Sequence, residues 1–213
     1  MDVTHTRDFN PFLAKWCELQ KRPESDRTQF GTGKVLNSIS KSFPPVHCSG
    51  VNYSFEHLAP RNVVIAGEGR EGGDIVVRIS FKSHVFSKSL PFRGEEFDFR
   101  DENDQKRSFC LTRYRASLTL AQTCEDLLVN NAPTWESRDR NRKSNLAIVE
   151  APLVSGEHYA IFYYFFPSRK DGVDVEMVVK SAFKKYIDFS RIKRRYKMKQ
   201  RLKECYYKNK TVP

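Results

Sequence analysis

Hydrophobic and polar positions alternate most regularly in the middle of the chain. Asn62–Ala66 (NVVIA) is a short β-branched run, and Gly67–Gly73 (GEGREGG) is a turn. From Asp74 to Ser87 the pattern has a period of two. Val77, Ile79, Phe81, Ser83 and Val85 fall on one face, and Arg78, Ser80, Lys82 and His84 on the other. This predicts a β-hairpin with a long second strand. Over Asp101–Asn130 the period changes to that of a helix, with Cys110, Tyr114, Ser117, Ala121, Cys124 and Leu128 on one stripe. Three further strands are expected at 146–151, 158–166 and 173–183, with Asp171-Gly172 as a hairpin turn between the last two. Ile161–Phe166 is apolar on both faces, which suits a central strand.

The predicted order, β-β-α-β-β-β, implies an α+β fold. Its mostly antiparallel sheet has about five strands, with one long helix packed on it and helical N- and C-terminal extensions. Residues 1–45 read as an arm with a short helix at Pro11–Gln20, 46–189 as the core domain, and 190–213 as a basic helix or tail. Phe189, Ile192, Tyr196, Leu202 and Tyr206 recur near one stripe, and 190–207 reads as a basic amphipathic helix.

Composition sharpens this picture. The chain has 213 residues, of which 39% are hydrophobic and 13% aromatic, enough for a packed core and against disorder. No run approaches the ~20 apolar residues of a membrane span, so no membrane partner is expected and a cytoplasmic location is. The five cysteines are odd in number and scattered, without the spacing of a zinc site or a disulfide framework. No cofactor is implied, and metal ligands are expected to be none. The net charge of +11 is concentrated in the tail. From 191 to 210 there are ten basic residues against Glu204 alone, which accounts for +9 of it. An anionic partner follows, RNA or another nucleic acid. Arg191, Lys193, Arg194, Arg195, Lys197, Lys199 and Arg201 are the candidate phosphate contacts.

Three segments carry candidate chemistry. His84, beside Ser83 on a polar strand face among cations, is a candidate general base. Arg113 and Arg115, with Arg107 and Ser117, are expected on the long helix, where arginines suit phosphate binding. Ser181 precedes Lys184, Lys185 and Tyr186 at a strand end, where a hydroxyl and cations can cradle a phosphate. Each alone also fits a solvated surface. Together they match RNA cleavage, which needs a base for the 2′-OH, an acid for the leaving oxygen and cations for the phosphorane, and no metal. Catalytic roles are therefore expected for His84, Arg113, Ser181 and Tyr186, and binding roles for Arg115, Lys184 and Lys185. Asp101, Glu102 and Asp104 read as helix-start charges.

FKSHVFS (81–87), RYRASLTL (113–120), AIFYYFF (160–166) and VVKSAF (178–183) resemble a bacterial and phage-associated family. Its members are described as heat-shock protein C-like or stationary-phase growth adaptation proteins, and some are akin to SocB-type toxins beside Panacea-domain antitoxins. The resemblance spans about residues 75–190. It implies a toxin of a toxin–antitoxin or phage-defence locus, with an antitoxin protein as partner. The strand ending V-x-[ST]-A-[FY] is also similar to the barnase–EndoU–colicin–RelE class of toxin nucleases. The chain departs from that class in lacking a second well-placed histidine, because His158 opens an apolar strand. A metal-independent ribonuclease toxin is the leading expectation. The alternatives are a non-enzymatic toxin that blocks a replication protein such as the sliding clamp, and a nucleic-acid-binding regulator. The nearest clamp-binding piece, Gln122–Leu128, lacks the aromatic residue. An ADP-ribosyltransferase is more distant, since no strand-end Glu is evident.

Overall fold

A computed structural model describes residues 43–90, 97–139, 142–149, 153–191 and 194–213. The arm helix expected at Pro11–Gln20 lies outside the described residues. The chain forms strands β1 (Val46–Cys48), β2 (Val51–Tyr53), β3 (Arg61–Ile65), β4 (Ile75–Phe81), β5 (Ser87–Ser89), β6 (Phe99–Arg100) and β7 (Lys106–Phe109). Helices α1 (Leu111–Ser117) and α2 (Leu120–Val129) follow. The second half contributes β8 (Pro133–Asp139), β9 (Arg142–Ile148), β10 (Gly156–Pro167), β11 (Val175–Ile187), β12 (Arg195–Lys197) and α3 (Met198–Lys208).

The central sheet has seven strands in the order β12-β8-β9-β10-β11-β4-β3. It is mixed, because β11 runs antiparallel to β10 and parallel to β4. This corrects the expected five-stranded, mostly antiparallel sheet with one long helix. A parallel pair needs a long crossover and leaves no local turn signal in the sequence. Among the described residues the crossover from β4 to β11 contains two helices and six strands. Asp174 begins the pairing: its N–H donates to the Val76 carbonyl at 2.9 Å, and its carboxylate accepts the Val76 N–H at 2.7 Å. The Asp171-Gly172 hairpin forms as expected, with Gly172 at φ +70°. β10 is a central strand, buried from His158 through Tyr163.

Two of the predicted long elements are broken. The second strand of the first hairpin ends at Phe81. Lys82 donates its N–H to the Val179 carbonyl at 2.9 Å, Ser83–Val85 turn as a 3-10 helix, and β5 joins a separate sheet of order β5-β7-β6. Val85, Phe86 and Ser87 are buried in succession, which no period-two strand allows when one face is solvated. The predicted long helix is divided as well. Lys106–Phe109 pair with β5 as a strand, and the helical part is interrupted at Leu118–Thr119. The buried stripe nevertheless persists through Cys110, Ser117, Ala121, Cys124 and Leu128.

The C-terminal helix begins at Met198, and the residues before it form an edge strand in which Tyr196 faces Thr134. Asn209, in the left-handed conformation at φ 47°, terminates the helix. α2 and α3 cover one face of the sheet. Leu120, Cys124 and Leu128 from α2 and Met198, Leu202 and Cys205 from α3 pack with Val77, Ile79, Ile161, Tyr163, Phe165 and Met177. A smaller cluster on the opposite face joins Trp135, Leu146, Ile148, Ala160, Phe162 and Ile187. No helix among the described residues is long and apolar enough to cross a membrane.

Candidate active site at the His84 turn

Beyond Phe81, β4 leaves the side of β11, and the Ser83–Val85 turn and α1 pack against the strand instead. At the same level β11 bulges. Phe162 faces Ser181 and Tyr163 faces Val179, so Lys180 is the extra residue and the strand's faces reverse after it. The turn that carries His84 is held by two consecutive carboxylates from the loop between β6 and β7. Glu102 accepts the Ser83 N–H at 2.6 Å through one oxygen and the Ser83 hydroxyl at 3.0 Å through the other. Asp101 lies 3.0 Å from His84 Nε2. Its side chain is 0% exposed, while that of His84 is 23% exposed. The other Asp101 oxygen accepts the N–H groups of Asn103 and Gln105, both at 2.9 Å.

The electrostatics follow from these contacts. Burial acts to raise the Asp101 carboxyl, but the Gln105 and Asn103 N–H groups and the His84 ring outweigh it. The group is held below its ordinary value and stays ionised. Burial pushes His84 below its ordinary 6.5; the Asp101 hydrogen bond opposes this and the Arg107 charge adds to it. The ring is therefore neutral near pH 7. With Nε2–H donated to Asp101, the lone pair lies on Nδ1, which makes no hydrogen bond among the described residues. A buried carboxylate that fixes the tautomer of a partly exposed histidine is the arrangement of an oriented general base.

Two arginines flank the turn. Arg107 is buried and bonds the Ser87 hydroxyl, the Ser89 hydroxyl and the Ser87 carbonyl, so its role is structural. Arg113 uses Nη1 on the carbonyls of His84 (3.1 Å) and Ser87 (2.5 Å), and its guanidinium lies 4.6 Å from the Phe183 ring centre. Its Nε and Nη2 make no hydrogen bond among the described residues.

The other expected site residues do not converge on this turn as a group. Ser181 is buried opposite Phe162. Tyr186 lies five residues further along β11, about 16 Å away at the rise of a strand, and is 64% exposed. Ser181 and Tyr186 therefore do not act on one phosphate together. Arg115 is exposed on α1, and Lys184 and Lys185 are exposed toward the end of β11, Lys185 with its ammonium 5.4 Å from the Phe162 ring centre.

The basic tail is also divided. Arg201 is buried and bonds Asn145, Glu204 and the Pro213 carbonyl. Lys199 and Lys203 both pair with Glu68. Arg194, Arg195 and Lys197 sit in or beside the edge strand β12, exposed and without an ion pair among the described residues. Lys193 and the Arg191 side chain lie outside the described residues.

Asp101 and Glu102 escaped sequence reading because they precede a helical pattern and looked like helix-start charges. Among the described residues no group of three or more His, Cys, Asp or Glu side chains is placed to hold a metal ion.

A second histidine is structural. His57 Nε2 lies 2.9 Å from the Ser117 hydroxyl, which donates to the Tyr114 carbonyl at 2.7 Å. Burial lowers His57 to about 4 from its ordinary 6.5. The unfolded chain therefore takes up this proton first as pH falls. The stability that His57 contributes is whole above pH 6.5 and is lost between 6.5 and about 4. Allowing for screening at a partly exposed ring, the expected loss is roughly 1–2 kcal/mol. Urea unfolding at neutral and acid pH should show that share of the pH dependence disappear in His57→Gln; an unchanged dependence would refute the assignment.

Comparison with known proteins places this site within a family. Neither the curated proteins nor the solved structures yield a match to the chain. A protein-family model does match, over residues 45–209. The matched span includes the His84 turn, the Asp101–Glu102 loop, both long strands and all of α3, and so extends past the 75–190 of the sequence resemblance. On that match the chain belongs to the YjaZ family.

Proposed function

We propose that the chain is a metal-independent ribonuclease, acting as the toxin of a bacterial toxin–antitoxin or phage-defence locus in the cytoplasm. The observation that carries the catalytic part is the His84 ring, 23% exposed, held 3.0 Å through Nε2 from buried Asp101, with Nδ1 making no hydrogen bond among the described residues. In RNA the nucleophile is already present. His84 Nδ1 takes the proton of the ribose 2′-OH, and the 2′ oxygen forms a bond to phosphorus. The bond to the 5′ oxygen breaks, leaving a 2′,3′-cyclic phosphate, and the departing oxygen is protonated from solvent. Arg113 offers Nε and Nη2 to the charge that develops on the phosphorane. Arg194, Arg195 and Lys197 add sequence-independent attraction for the backbone. The toxin part is supported by the likeness of the four quoted segments to the stationary-phase growth adaptation family, some of whose members are akin to SocB-type toxins, and it brings an antitoxin protein as partner.

The clamp-blocking alternative is not favoured by the geometry. Cys124 and Leu128 of the Gln122–Leu128 stretch are buried in α2, so they are not free to insert into a partner. Incubation of the purified full chain with total RNA in excess EDTA tests the proposal. Fragments ending in cyclic phosphate are expected. Intact RNA, together with growth arrest on expression in cells, would overturn the ribonuclease reading in favour of a protein-blocking toxin.

A further inference from the structure

The small sheet that supplies Asp101 has an outward face with no role in holding His84. The register pairs Lys88 with Ser108 and Arg100 with Lys106, so Lys88, Arg100, Lys106 and Ser108 share that face. Phe97 folds onto it. The residue is 39% exposed, with the Lys106 ammonium 4.8 Å and the Arg100 guanidinium 5.5 Å from its ring centre. The neighbouring backbone is fixed. Asp98 donates its N–H to the Arg107 carbonyl at 3.0 Å, and its carboxylate accepts the Phe109 N–H at 2.6 Å and the Ser108 hydroxyl at 3.2 Å. Arg100 pairs with exposed Asp104, while Lys88 and Lys106 make no ion pair among the described residues.

An exposed aromatic ring on a rigid support, surrounded by cations, is what an unpaired nucleobase and its phosphates require. The ring offers a stacking surface to any base, and the cations meet the backbone on either side. A duplex keeps its bases stacked internally and cannot use the ring in this way. β6 leads directly into Asp101, so this face and the His84 turn are carried by the same small sheet. We propose that Phe97, with Lys88, Arg100 and Lys106, forms a stacking subsite for single-stranded RNA on the small sheet that supplies Asp101. The proposal rests on the ribonuclease reading for its substrate, but its test is binding alone.

The measurement is fluorescence anisotropy of a short 2′-O-methyl single strand, which cannot be cleaved at the 2′ position, with the full-length chain. Phe97→Leu, which keeps an apolar side chain and loses the stacking face, should weaken binding roughly 5- to 100-fold. Phe97→Trp should restore it. Lys106→Ala should reduce the slope of log affinity against log salt by about 0.7, the share of one phosphate contact in a single strand. A matching duplex should bind no better to wild type than to Phe97→Leu. Equal affinity of Phe97→Leu and wild type for the single strand would overturn the subsite, as would absence of any binding by wild type. Because the ligand is not cleaved, loss of this subsite with RNA cleavage intact, or cleavage absent with binding intact, shows which of the two proposals has failed.

Discussion

Asp101→Asn should slow RNA cleavage by about 10²–10⁴, the usual worth of an oriented acid–base group, while the chain remains folded. The substitution keeps the shape of the side chain. The Asn103 and Gln105 N–H groups, which now donate to one Asp101 oxygen, can still donate to the amide oxygen. That assignment turns the amide nitrogen toward His84 Nε2. A donor facing Nε2 forces the other tautomer, with hydrogen on Nδ1, so Nδ1 loses its lone pair. His84→Gln should cost a similar factor. In the wild type, burial holds His84 below 6.5, so the acid limb of the kcat/KM profile should lie below that pH. Single-turnover cleavage measures the rate, and ¹⁵N shifts of the His84 ring report the tautomer independently. If Asp101→Asn cleaves as fast as wild type with an unchanged ring spectrum, Asp101 does not orient His84.

The second large effect concerns stability. Arg201→Ala should destabilise the fold by about 3 kcal/mol, within the range for breaking a buried charged network. The side chain is 10% exposed, and its guanidinium is divided among Asn145 at 3.0 Å, Glu204 at 2.8 Å and the Pro213 carbonyl at 2.6 Å. It also stacks 4.7 Å from the Tyr196 ring centre. Removing it leaves the buried Asn145 amide oxygen without its donor and unfastens the end of the chain. Val212 there is buried and exchanges backbone hydrogen bonds with Phe165. Arg195→Ala, on the exposed edge strand, should change stability by no more than about 0.5 kcal/mol. Urea midpoints of the two variants make the comparison. An Arg201→Ala protein as stable as wild type, with weaker RNA binding, would return Arg201 to the nucleic-acid surface.

Arg201 shows why a charge run is hard to interpret from sequence. In the pattern it is one of ten basic residues in the stretch from 191 to 210, with nothing to separate it from Arg195. The helical period is the only guide, and Arg201 lies beside Leu202 and Met198 on the stripe that α3 buries. His84 was legible as a candidate because its residue type is scarce and its neighbours are cationic. Its setting was not legible, because alternation continues through Lys82, Ser83 and His84 as though the strand did.

What the sequence determined by itself was local. Period-two alternation specified β4, a run apolar on both faces specified β10, the Asp171-Gly172 pair specified the hairpin to β11, and the helical stripe specified which side chains of α1 and α2 face the core. These signals reside in residues within a few positions of one another, where backbone geometry alone imposes the period. Tertiary structure decided the rest. The parallel pairing of β11 with β4 depends on Asp174 meeting Val76, 98 residues away. The strand ends at Phe81 because both Glu102 carboxylate oxygens hold Ser83 in the turn, one through its N–H and the other through its hydroxyl. The His84–Asp101 pair exists only because that break turns the chain toward the β6–β7 loop. Hydrogen bonds between segments far apart in sequence impose no period on either segment, so they leave no trace until the chain is folded.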